Sequence, residues 1–228
     1  MNQSEGTRLS RDVPVELGKT ALLLIDVQNF SARPDGGEYK AQGLTPEQAY
    51  EKHRYFFDTV RNVALPNIRA LQQACREVGV EVMYTVIENL TLDGRDRSLD
   101  YKITGFNVPR GSWDAQVLEE VAPQGDEIVL PKSSSSVFIS TNIHYLLGNL
   151  GVRYLIVVGF VTDQCISSAV RDACDLGYLV TVPVDACATY SPERHEQSLA
   201  HIRGYCRQVT TQALLEELRG LAAARATG

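Results

Sequence analysis

Apolar positions in this chain alternate between short unbroken runs and longer stretches with helical periodicity. Ala21-Leu-Leu-Leu-Ile25 is unbroken and ends in Asp26, the pattern of a strand buried on both faces. A polar, Gly-containing loop from Ser31 to Gly43 follows. Pro46 then opens a helical stretch to about Val78, broken or kinked near Pro66. Gly79 ends it, and residues 80 to 86 form a second strand. Between Ile87 and Arg110 the composition turns polar and charged, the longest expected irregular segment and therefore a candidate functional one.

A short helix is predicted from Trp113 to Val121 and a strand from Glu127 to Leu130. A helix from Thr141 to Leu150 leads to the most apolar strand, Tyr154 to Val158. Asp163 to Leu176 reads as a helix, Leu179 to Val182 as a strand and Pro192 to Gly204 as a helix. Gln208 to Thr210 is a short strand and Thr211 to Leu221 a final helix. Strands alternating with helices imply right-handed crossovers. The expected fold is α/β, a three-layer αβα arrangement around a six-stranded, mostly parallel sheet. Residues 1–18 read as a flexible lead-in and 19–228 as one domain.

Composition narrows the function. The 228 residues are 44% hydrophobic and 22% charged, with a net charge of −6. That balance suits a globular chain with a substantial core. No cluster of Lys and Arg suits a nucleic-acid backbone, so no nucleic-acid partner is expected. The apolar runs are far shorter than the roughly 20 residues of a spanning helix, and the polar start lacks the apolar core of a signal peptide. The five cysteines (75, 165, 174, 187 and 206) are odd in number and scattered, with no CxxC pair. Reduced thiols in a cytoplasmic chain are the expected state, without disulfide framework or zinc site.

In open parallel sheets, ligands bind beyond the carboxyl ends of the strands. Three residues stand there. Asp26 follows the first apolar run, where a buried carboxylate needs a partner; alone it could be a cap or an ion pair. Lys132 follows Ile128-Val-Leu-Pro131 and alone could extend to solvent. Cys165, in Gly159-Phe-Val-Thr-Asp-Gln-Cys165, falls in the first turn of the expected helix, where the helix dipole and a nearby ammonium favour thiolate. Its bland alternative is an inert buried thiol. Together they suggest a carboxylate to take a proton, a cation to hold a thiolate, and a nucleophile for a carbonyl carbon.

In order and spacing, these motifs resemble the isochorismatase-like cysteine hydrolases. The matching residues are Leu24-Ile-Asp26-Val-Gln28-Asn29-Phe30, Pro131-Lys132 with Ser136-Val-Phe138 and Thr141, and Gly159-x-x-Thr162-x-x-Cys165. The resemblance covers about Lys19 to Leu218. It implies a catalytic triad of Asp26, Lys132 and Cys165, a cis peptide between Phe160 and Val161, and oxyanion donors in the Val161 and Cys165 N–H groups. Isochorismatases proper lack the Cys, so Cys165 favours the amidohydrolase branch. The histidines (53, 144, 195 and 201) form no ligand pattern, which disfavours nicotinamidase and any metal. Gly111-Ser-Trp-Asp114 is similar to a segment of ureidoacrylate amidohydrolases, and N-carbamoylsarcosine amidohydrolase is another relative.

The expected activity is therefore cofactor-free hydrolysis of a C–N bond in a small amide, ureido or carbamoyl substrate, through a thioester. Candidate substrate contacts are Gln28, Asn29, Phe30, Glu88, Asn89, Trp113 and Tyr190, with Arg95, Arg97 and Lys102 as candidates for a substrate carboxylate. The resemblance also implies a homodimer or homotetramer. Two alternatives stay open: ester or ether hydrolysis on the same fold, and a non-catalytic binding or redox-sensing protein.

Overall fold

A computed structural model describes residues 10–227. Residues 1–9 of the expected lead-in lie outside the described residues, whereas Val15 within it is buried and its N–H donates to Glu217. The strands are β1 Thr20–Ile25, β2 Glu81–Ile87, β3 Ile128–Lys132, β4 Tyr154–Phe160, β5 Leu179–Pro183, the two-residue β6 Cys187–Ala188 and β7 Cys206–Val209. The helices are α1 Asn29–Ala32, α2 Gly37–Lys40, α3 Pro46–Lys52, α4 Arg54–Thr59, α5 Leu65–Val78, α6 Leu99–Thr104, α7 Val137–Ser140, α8 Ile143–Asn149, α9 Ser167–Asp175, α10 Pro192–Ile202 and α11 Thr211–Thr227.

The sheet runs β3-β2-β1-β4-β5-β7, with β6 beside β4. Every paired strand is parallel. This is the three-layer α/β fold expected, with six main strands and one two-residue addition. Alternation along β1 divides the core. Leu22 and Leu24 join the layer that includes Ile68 and Leu71 of α5 and Leu214 and Leu218 of α11. Ala21, Leu23 and Ile25 face the layer that includes Ile143, Leu147, Ala169 and Val170. Pro131 is tolerated because β3 is an edge strand.

Several elements differ from the pattern. The expected helix from 46 to 78 is interrupted twice, at His53 and by a π-helical turn at Val60–Ala64. Pro66 has no N–H to return to the preceding turn, and the Leu65 N–H bonds to Val60 O across the wide turn. The segment 113–121 is not one helix but two 3₁₀ turns, because Gln28 forms a bridge with Val117 that holds the chain extended between them. The irregular segment contains α6, capped by the Ser98 hydroxyl on the Tyr101 N–H and ended by Gly105 at φ 81°.

Strand order reverses between β1 and β4, so the crevice at their carboxyl ends is the topological switch point. Close approach there depends on Gly159, paired with Ile25 and at φ 119°. A Cβ at that position would lie 2.1 Å from the Ile25 carbonyl oxygen. Gly159→Ala is therefore expected to destabilise the protein by about 3 kcal/mol or more, read as a lowered urea midpoint. A midpoint equal to wild type would refute this account of the crevice.

Candidate active site

At the end of β1 the chain turns at Asp26, whose φ of 54° makes it the one non-glycine residue with positive φ among those described. Asp is among the residues that tolerate that region, and the turn is tied to β2. The Asp26 N–H donates to Thr85 O at 3.1 Å, and Thr85 Oγ1 donates to Asp26 Oδ1 at 2.9 Å. Lys132 closes β3 with its side chain wholly buried. Its Nζ lies 2.8 Å from Asp26 Oδ2, 3.3 Å from Cys165 Sγ, 3.1 Å from Tyr101 Oη and 2.9 Å from Ser134 O. Asp26 Oδ2 has no aligned hydrogen-bond partner, so its contact with Lys132 is an ion pair and the oxygen can accept another proton. Burial works against the Lys132 charge, but its neighbours, the Asp26 carboxylate foremost, outweigh it and hold its pKa well above the usual lysine value.

Cys165 follows β4. The Phe160–Val161 peptide is cis, and Thr162–Ile166 forms a π-helical turn before α9. Side chains at the start of this turn anchor it to the α10 region. Thr162 Oγ1 is 2.9 Å from His195 Nδ1, and Ser198 Oγ donates to Thr162 O at 2.9 Å. The Asp163 carboxylate accepts from Thr189 Oγ1 at 2.5 Å and Arg194 Nε at 2.7 Å. Cys165 thus sits in a wide turn rather than the first turn of an α-helix.

The expected stabilisation of thiolate at rest is also corrected. Burial pushes the Cys165 thiol up to about 12; Lys132 lowers it, but the Asp26 charge adds to the rise. Burial and the Asp26 charge thus favour the thiol, with a carboxylate and an ammonium beside it.

A narrow cavity of about 20 Å³ opens at Cys165, lined by Asp26, Ser31, Glu38, Ile87, Phe106, Phe160, Val161, Gln164, Cys165 and Tyr190. That volume accommodates about one water molecule. Of the candidate substrate contacts, Tyr190 lines it. Gln28 lies beside the site, but its amide donates to the Ile87 and Asp114 carbonyls and accepts from the Ile87 N–H. Asn29 donates to Trp113 O, Phe30 packs on Phe106, and Trp113 is half-exposed beneath the Lys40 ammonium. Glu88 accepts from the Gly111 N–H, and Asn89 donates to Asn107 Oδ1. Arg95 pairs with Asp93, Arg97 donates to the Gly94 and Phe106 carbonyls, and Lys102 is exposed.

Sequence reasoning missed Thr85, Tyr101, Glu38 and Phe106. Thr85 left a signal, a polar residue in an otherwise apolar stretch of β2 paired with Ile25. Tyr101 and Phe106 lie in the segment read as irregular, where no periodicity marks inward positions. Among the described residues, no group of three or more His, Cys, Asp or Glu side chains is placed to hold a metal ion, and no helix is long and apolar enough to cross a membrane.

The αβα sheet with polar residues gathered at its carboxyl edge is the architecture of a known hydrolase class. The isochorismatase domain model matches residues 20–213, and the chain belongs to the isochorismatase family of hydrolases. It is 28% identical over 218 residues to ureidoacrylate amidohydrolase RutB of Caulobacter segnis, covering 88% of this chain and 86% of that one. A cysteine hydrolase structure from Pseudomonas syringae pv. phaseolicola superposes with a TM-score of 0.77 at 22% identity, covering 95% and 100% of the two chains. For N-carbamoylsarcosine amidase from Thermoplasma acidophilum the TM-score is 0.65 at 22% identity, covering 85% of this chain and 96% of that one.

The electrostatics of the site give an unusual expectation. Because Asp26 raises the Cys165 pKa, Asp26→Asn should increase the thiolate fraction at a given alkaline pH, while Lys132→Met should decrease it. Thiolate absorbance in the ultraviolet, followed against pH with Cys165→Ala as the blank, reads both changes. Opposite shifts would overturn the assigned electrostatics.

Proposed function

We propose that this chain hydrolyses the C–N bond of a small amide, ureido or carbamoyl compound through a thioester on Cys165. The observation that carries the reading is the convergence of Asp26 Oδ2 and Cys165 Sγ on Lys132 Nζ, at 2.8 and 3.3 Å, beside one cavity. The amidohydrolase names of relatives support the same bond type. In this reading Asp26 and Lys132 assist, and Cys165 is the nucleophile.

Asp26 takes the thiol proton as Cys165 Sγ attacks the carbonyl carbon, and Lys132 stabilises the sulfur as it gains negative charge. Negative charge moves to the carbonyl oxygen, received by the N–H groups of Val161 and Cys165. The C–N bond then breaks, and the departing nitrogen takes the proton from Asp26 to leave as ammonia or amine. Asp26 next removes a proton from water, which attacks the thioester. The acid departs, and Cys165 regains its proton from Asp26. Raising the resting thiol pKa suits this sequence, because the proton leaves as the substrate arrives rather than beforehand.

The reading includes one domain over 19–228, a cytoplasmic location and a homodimer or homotetramer. Ammonia release from a panel of primary amides, ureido acids and carbamoylated amines tests the chemistry. Cys165→Ala should lower the rate about a thousandfold or more, and an acyl adduct on Cys165 should appear in the intact mass of wild type under rapid quench. Full activity in Cys165→Ala would sink the proposal.

A further inference from the structure

The cavity beside Cys165 contains a second carboxylate that the hydrolytic steps do not use. Glu38 lies in α2, a single turn packed closely on α1. A Cβ at Gly36 would come within 2.1 Å of Phe30 O, and the Gly37 N–H donates to Asp114 Oδ1 at 3.0 Å. These contacts leave the half-buried Glu38 side chain on the cavity wall with Asp26, Ser31, Gln164, Cys165 and Tyr190. Tyr190 Oη donates to Glu38 Oε1 at 2.6 Å. Among the described residues no Lys, Arg or His forms an ion pair with Glu38, and no cationic side chain lines the cavity. Lys132 stands behind Cys165, already paired with Asp26.

A carboxylate placed without a counter-cation in a half-buried site is held at a desolvation penalty. Burial raises the Glu38 pKa to about 7, against the lowering effect of the Tyr190 hydrogen bond. Glu38 Oε2 has no hydrogen-bond partner in the protein among the described residues. The carboxyl group can therefore accept a hydrogen bond from a ligand entering the cavity.

We propose that Glu38 determines substrate specificity: it accepts from an N–H-bearing group, cationic or neutral, at the end of the substrate remote from the scissile carbonyl. It repels a carboxylate at that end. A ureido acid, the class of compound in the name of the Caulobacter relative, would bring its own carboxylate against Glu38 with no guanidinium on the wall to receive it. The favoured substrates are amino-substituted or neutral amides and ureas. This inference rests on the amide-hydrolase reading, which supplies the position of the scissile carbonyl at Cys165.

Three ureas of similar size separate the possibilities: aminoethylurea, propylurea and ureidopropionate. In wild type, kcat/KM from ammonia release should favour aminoethylurea over ureidopropionate by about tenfold or more, and Glu38→Gln should reduce that ratio about tenfold, chiefly through KM. Calorimetric binding of the same ureas to Cys165→Ala should show the same order without turnover. Equal or preferential handling of ureidopropionate by wild type would overturn the proposal, as would an unchanged ratio in a folded Glu38→Gln protein. If wild type turns over none of the three while Cys165→Ala still prefers the cationic urea, the hydrolytic reading fails and the specificity assignment stands. Binding of none of them to Cys165→Ala overturns the assignment.

Discussion

The site depends on one constraint, an ammonium placed where no water can reach it. The side chain of Lys132 is wholly buried, and its charge is sustainable there because Asp26 lies 2.8 Å away. Removing one member of such a pair leaves an uncompensated charge, which typically costs about 3–5 kcal/mol. The pair also joins the edge strand β3 to the central strand β1 across β2. Thr85, from the intervening strand, completes the connection by donating to Asp26. The geometry at Cys165 is built on this fixed pair and on the anchored turn after β4.

Charge and burial act in opposite directions on the two reactive groups. Neighbouring charge raises the Lys132 pKa against its burial, while burial and the Asp26 charge raise that of Cys165. A resting thiolate would form an ion pair with Lys132 but would face the Asp26 carboxylate in a water-poor space. The neutral thiol avoids that repulsion. It also keeps the sulfur less reactive toward oxidants and alkylating agents than an exposed thiolate would be.

Much of this was legible in the chain, and the part that was not has physical causes. Apolar runs ending at Ile25 and leading to Lys132 and Cys165 marked the carboxyl edge, because strands buried on both faces leave unbroken apolar sequence. Those runs identified three residues that the fold brings together from positions 26, 132 and 165. Loop residues were harder to read. Tyr101 and Glu38 lie on single-turn helices, too short for periodicity to reveal an inward face. Gln28 illustrates the reverse problem: its position suggested a ligand wall, but its amide is occupied by three backbone groups. A helix-end argument also carries no information about how thoroughly the sulfur is buried, and burial acts on the thiol in the opposite direction to Lys132.

The strand order has a consequence for how the molecule is assembled. β1 pairs with β2 on one side and with β4 on the other, so residues 20–25 meet residues 154–159. During synthesis, the apolar β1 segment emerges long before its second neighbour exists. Closing so distant a pairing slows folding and leaves a hydrophobic edge exposed meanwhile. The crevice at Asp26 and Lys132 thus stays incomplete until β4 and the turn after it have emerged. Nascent chains that have not yet extended beyond β4 contain Asp26 and Lys132 without Cys165.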